Sequence, residues 1–115
     1  MRLLIFLLLF LPTTFFAQVY VDKYDINADD KVQFVEVSFR ARGLNPNVVC
    51  FDYGQKLGRK QYWTRIFGND KKEVVFNSMM HILNFMVANG WEVFDGPYPA
   101  TENVLSRCIF VKAEK

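Results

Sequence analysis

The sequence is poor in the residues that build most catalytic and metal centres. It has one histidine, His81, and two cysteines, Cys50 and Cys108. Zinc sites need three or four protein ligands at close spacing, and no such Cys/His pairing is present. No metal or other cofactor is expected. Neither cysteine has a glycine elbow or a helix start beside it, so a cysteine nucleophile with His81 as base lacks the surroundings that activate one. A surplus of one charge is also missing: 14 basic residues face 12 acidic ones. That balance withholds the phosphate neutralisation on which nucleic-acid affinity rests, so no nucleic-acid partner is expected. Internal repeats and low-complexity segments are absent. No apolar run approaches the roughly 20 residues that a membrane-spanning helix requires.

The longest apolar run that does occur lies at the start. Arg2 is followed by "LLIFLLLFL", which Pro12 breaks, and then by "TTFFAQ". A positive start, a short apolar stretch and a small residue before a polar one mark a secretory signal peptide. Residues 1–17 are therefore expected to be removed, with cleavage after Ala17. Phe15 stands where a small residue is usual. No cysteine follows the run, so neither a lipid anchor nor any other membrane anchor is expected after cleavage. The predicted location is the periplasm or the extracellular space.

Removing 17 of 115 residues leaves 98, the size of one small domain. Arg2 is the only charge lost, so the remainder carries 13 basic and 12 acidic residues. Residues 18–31 begin with a short strand near Val19 to Tyr24 and continue into a polar turn, "DINADD". That turn lacks the spacing, central glycine and closing glutamate of a calcium hand. "KVQFVEVSFR" alternates, placing Val35, Val37 and Phe39 on one face. After the breakers in "ARGLNPN", "VVCFDYG" places Val49, Phe51 and Tyr53 on one face, and the two segments make an antiparallel hairpin. Residues 55–72 form an excursion in which Arg59 to Phe67 is either a strand or partly ordered, and "GNDKK" is a turn.

The best local pattern is "FNSMMHILNFMVANGWEVF". Asn77 or Ser78 can cap a helix, and Met79, Ile82, Leu83, Met86 and Val87 fall at helical spacing as one stripe. Gly90 is placed to end the helix in a left-handed conformation, with Trp91 folding back over Met86. "WEVF" is then a strand, "DGPYPATEN" its turn and "VLSRCIFVKAE" the last strand. The predicted fold is α+β: a mainly antiparallel sheet of about four strands in the order ββαββ, with one helix packed on one face. The expected sheet order, numbering these four strands along the chain, is 1-2-4-3.

The spacing Leu83–Asn84, then Gly90–Trp91–Glu92, with a closing "CIFVKAEK" strand, resembles a family of small bacterial domains of unknown function. "FDYGQ", the later "FNS" and the "FAQ" cleavage region are similar to its secreted, Bacteroides-type members. The resemblance covers about residues 32–115 and implies a fold but no reaction and no catalytic residue. It singles out Asn84, which is expected to bond neighbouring backbone.

Several surfaces are candidates for function. If the helix covers Val35, Val37, Phe39, Val49, Phe51, Ile109 and Val111, then Phe34, Cys50, Cys108 and Phe110 face the other way, joined by Phe94. A patch of that kind marks an interface or ligand groove, here covered by residues 18–30 and 55–72 folding back or by a second copy in a homodimer. On that face Cys50 and Cys108 either pair in a disulfide or stay free; an exported chain permits both. Lys56, Arg59, Lys60, Tyr62, Trp63 and Arg65 form a basic-aromatic tract whose chemistry suits an anionic glycan or a nucleic acid, or the keeping of a strand edge soluble. Asp52 with Glu92 or Asp95 would supply the paired carboxylates of a glycosidase if a cleft joined them. The reading that follows is a non-catalytic secreted or periplasmic binding or interaction module, with a protein or glycan as partner. Alternatives are a small hydrolase or glycan-acting enzyme using these acids, and a structural subunit of an envelope complex.

Overall fold

The structure, a computed structural model, describes residues 17–41, 47–56, 63–101 and 105–113. These form an α+β fold of one helix and two antiparallel sheets. The larger sheet contains β3 (Phe34–Arg40), β4 (Val48–Asp52), β6 (Trp91–Tyr98) and β7 (Ser106–Lys112), ordered β4-β3-β7-β6. The smaller contains β1 (Tyr20–Val21), β2 (Tyr24–Asp25) and β5 (Ile66–Phe67), ordered β2-β1-β5. The helix α1 spans Met79–Ala88.

The hairpin of β3 and β4 forms as its alternation predicts, with Val37 opposite Phe51 and Phe39 opposite Val49. The sheet order differs from expectation. β3, not β4, joins β7, so the order in the numbering used above is 2-1-4-3. The reason is burial: Val35 pairs with Phe110 and Val37 with Cys108, and all four are fully buried. The two strands with the most apolar inner faces take the centre of the sheet.

That pairing also corrects the face of β7. Phe110 and Cys108 point into the core, while Ile109 and Val111 lie on the outer face beside Glu36 and Phe34. A one-residue change of register exchanges the two faces of a strand, and β7 is apolar on both.

α1 starts at Ser78, whose hydroxyl accepts from the His81 backbone N–H at 3.2 Å. His81 answers in kind: its Nδ1 accepts from the Asn77 N–H at 3.1 Å. This reciprocal arrangement satisfies two donors at the helix start, in the manner of a capping box. The buried stripe is Ile82 and Met86, flanked by Met79, Leu83 and Phe85. Val87 leaves it and is 60% exposed. Each helical residue turns about 100°, so Val87 is carried away from the face that Met86 occupies.

Gly90 has φ +90°, and its N–H donates to the Val87 carbonyl at 3.4 Å, as a glycine-ended helix requires. Trp91 and Met86 are both buried in the one core. Asn84 is exposed and its side chain makes no hydrogen bond among the described residues. Asn89 takes the expected role instead, donating to the Phe85 carbonyl at 2.8 Å.

β6 runs further than "WEVF", through Tyr98. Register shifts between Val93, Asp95 and Tyr98 absorb Gly96, which sits at φ +105°. A bulge of this type keeps a strand paired where a glycine-proline sequence suggests a turn. The "GNDKK" turn forms as predicted, closed by Lys71 N–H to Gly68 O at 3.0 Å.

The core lies on the inner face of the larger sheet. Helix and small sheet together cover it: Val19, Val21, Ile26 and Ile66 are buried in one cluster with Val35, Phe51, Ile82 and Trp91. Residues 18–30 thus fold back onto the same face as the helix, and among the described residues no element covers the other face of the sheet.

Candidate functional site

The open face is laid out in rows by strand register. Paired residues share a face, so one row across the sheet reads Asp52, Glu36, Ile109, Asp95, and the next reads Cys50, Ser38, Arg107, Tyr98. A third row, at one end, holds Phe34, Val111 and Glu92. Phe34 meets Phe94 edge to face, with ring centroids 5.1 Å apart. They are 49% and 63% exposed. Of the four aromatic and thiol positions assigned to this face with Phe94, only Phe34 and Cys50 remain on it.

Polar contacts order one side of the face. The Tyr98 hydroxyl donates to Asp95 Oδ1 at 2.5 Å, which raises the phenol's pKa. The Arg107 guanidinium lies 5.5 Å from the Tyr98 ring centre. Across the sheet, burial pushes the Cys50 thiol up, and Asp52 and Glu36 add to it. A thiol shifted that way stays protonated at neutral pH and is a poor nucleophile.

The cysteines do not form the disulfide held open above. Both are free. Cys50 on β4 is paired with Ser38 on the open face, and Cys108 on β7 is paired with Val37 in the core. A strand separates them and they point to opposite sides of the sheet.

The carboxylates are also kept apart. Asp52 and Glu92 lie on the two edge strands, as do Asp52 and Asp95. Three interstrand steps of about 4.8 Å put their backbones roughly 14 Å apart, beyond the spacing of a glycosidase pair. The grooves among the described residues include two. One, of about 600 Å³, lies between the helix start and the sheet, lined by Phe39, Arg40, Ser78, Met79 and Ser106 among others. The other, of about 190 Å³, includes Trp63, Arg65, Glu73 and Phe76. Neither includes the acids of the open face.

The basic-aromatic tract is only partly visible. Arg59, Lys60 and Tyr62 lie outside the described residues. Trp63 is 38% exposed. Arg65 is engaged, paired with Glu73 at 2.8 Å and placed over the Phe67 ring. His81 is held by its cap and by an edge contact to Phe76. Among the described residues no group of three His, Cys, Asp or Glu is placed to hold a metal ion.

Sequence reading missed Asn27. Its Nδ2 donates to the Ala17 and Asn89 carbonyls at 3.0 and 2.8 Å, and its Oδ1 accepts from the Trp91 indole at 2.7 Å. In the sequence it stands within a polar turn, and only its neighbour Ile26, fully buried, hints that the turn packs inward. Phe76 was missed too. It stacks on Phe51 and meets Phe85 edge to face.

Comparison with protein-family models, with curated proteins and with solved structures finds no match for the chain.

Proposed function

We propose that the protein is an exported, non-catalytic binding module of the periplasm or the extracellular space, and that the open face of the larger sheet is its contact surface. The observation that carries this reading is the exposed Phe34–Phe94 pair. Two aromatic rings standing together on an uncovered sheet offer the rigid apolar contact area that interfaces favour. The flanking acids, Arg107 and Tyr98 supply a polar rim. A protein or a glycan is the partner such a surface suits. The signal-like start of the chain and the resemblance to secreted small domains support the location.

Photo-crosslinking in exporting cells tests it. A crosslinking residue at position 34 or 94 is expected to give a discrete adduct. The same residue at Met80, equally accessible on the helix at 62% exposure, is the control. Adducts at the sheet positions alone support the reading, and light scattering then separates a second copy from another partner. Absence of adducts at both sheet positions, or equal adducts at Met80, overturns it.

A further inference from the structure

Charge is unevenly spread over the open face of the larger sheet. Its strands carry four acids, Glu36, Asp52, Glu92 and Asp95, and register places all four in the rows that hold Phe34, Ile109 and Val111. The same strands carry three bases. Arg107 stands in the next row, beside Ser38, and Arg40 in the row after it. Lys112 is turned to the inner side, where its ammonium donates to the Asp29 carbonyl at 2.6 Å and lies over the Trp91 ring. Among the described residues none of the four acids is in an ion pair.

Two of these acids are set against each other. Glu36 and Asp52 are direct cross-strand partners on β3 and β4, and like charges in that relation cost stability. Both are half-buried, so dissolved salt screens them less than it would a fully exposed pair. Their charge reaches the Cys50 thiol, whose pKa burial raises and the two carboxylates raise further. The aromatic end of the face is therefore an uncompensated negative surface around two exposed rings.

We infer that the partner of this face is a basic protein segment, whose lysine or arginine stems cross Phe34 and Phe94 and whose charged heads reach the carboxylates. This rests on the reading of the face as a contact surface. Each part of such a side chain has a counterpart here. The methylene stem covers apolar surface while the head stays polar. Ring faces attract cations, and a carboxylate takes a guanidinium through two parallel hydrogen bonds. The other occupants fit worse. A two-fold dimer through this face would present the same patch on both copies and set acids against acids. An anionic glycan would meet the four carboxylates.

The test is fluorescence anisotropy of dye-labelled nona-arginine titrated with the purified protein at low ionic strength. Saturable binding that weakens with added salt is expected. Glu36→Gln should weaken it by up to about fivefold while raising the melting temperature, because it relieves the like-charge pair. Phe34→Ser should weaken it as well, in a protein that stays folded. Asp70→Asn, in the turn after β5, should leave it unchanged. Nona-arginine that fails to bind, or that binds all these variants alike, overturns the inference. A heparin-derived oligosaccharide whose binding Phe34→Ser abolishes, or a homodimer that Phe34→Ser dissociates, also overturns it while the face remains a contact surface. Absence of the crosslinks at positions 34 and 94 removes the contact surface itself, and the inference with it.

Discussion

Asn27 and Trp91 lie 64 residues apart in sequence, and the Trp91 indole N–H donates to Asn27 Oδ1 at 2.7 Å. The bond ties the turn after β2 to the first residue of β6. Trp91 is 1% exposed, so Trp91→Ala should cost about 3–5 kcal/mol. Asn27→Ala leaves the buried indole donor unpaired, at about 1–3 kcal/mol. In a Trp91→Phe background the same Asn27 substitution should cost measurably less, since neighbours that share a bond are not additive. Urea unfolding of the four proteins measures this, and strictly additive losses would contradict the coupling.

The two positive-φ glycines of the helix end and the bulge should respond unequally. At Gly90 an added Cβ meets nothing nearer than Ala17 Cβ at 4.0 Å, so Gly90→Ala carries only the strain of the left-handed backbone, about 1–2 kcal/mol. At Gly96 the Cβ would sit 3.1 Å from the Arg107 carbonyl oxygen and 3.3 Å from Cys108 Cα. Backbone cannot yield as a side-chain tip does, so overpacking of about 1–3 kcal/mol is added. Thermal melts should rank Gly96→Ala well below Gly90→Ala; the reverse order would refute the bulge geometry.

The thiols should react in sequence. Burial raises the pKa of both, but Cys50 is half-buried and Cys108 is fully buried. Iodoacetamide at neutral pH is expected to label Cys50 slowly, faster as pH rises, and to reach Cys108 only when the protein unfolds. Mass spectrometry of the non-reduced protein should show no disulfide. A native Cys50–Cys108 link would be incompatible with this sheet.

Acid should weaken the small sheet first. The Tyr24 hydroxyl donating to Asp29, helped by the Lys31 backbone N–H, holds the Asp29 carboxyl below its ordinary pKa. Arg65 does the same for Glu73. A carboxyl whose pKa is lower folded than unfolded stabilises the fold above the unfolded value, about 4, and loses that contribution as pH falls through the folded value. Both groups are exposed, so solvent screens the effect. The variant with Asp29→Asn and Glu73→Gln should show a flatter decline of melting temperature below about pH 4 than the parent. An identical acid limb would remove these two carboxylates from the account.

Phe34 and Phe110, one row apart on neighbouring strands, should behave as surface and core. Phe110→Ala should cost about 3–5 kcal/mol. Phe34→Ser should cost less, losing the edge-to-face term with Phe94, about 0.5–1.5 kcal/mol, and the burial of only about half its ring. Equal losses would show that the outer face is covered.

The elements set by local chemistry were legible in the chain. The β3–β4 hairpin follows from strict alternation with breakers between. The helix follows from Ser78 at one end and Gly90 at the other, because capping and left-handed glycine are satisfied within a few residues. The α+β class follows from the change of period between these segments. What tertiary structure decided is everything that depends on which surfaces meet. β7 is apolar at Cys108, Ile109, Phe110 and Val111, so periodicity could not choose its inner face; pairing with β3 chose it, and placed Phe110 and Cys108 in the core. Sheet order was settled by burial of β3 and β7 together. Asn27 acquired its role only when a polar turn was carried against Trp91, a contact no local pattern encodes. The open face exists for the same reason: helix and small sheet both found the inner side of the larger sheet, where the apolar area was greatest, and left Phe34 and Phe94 to solvent.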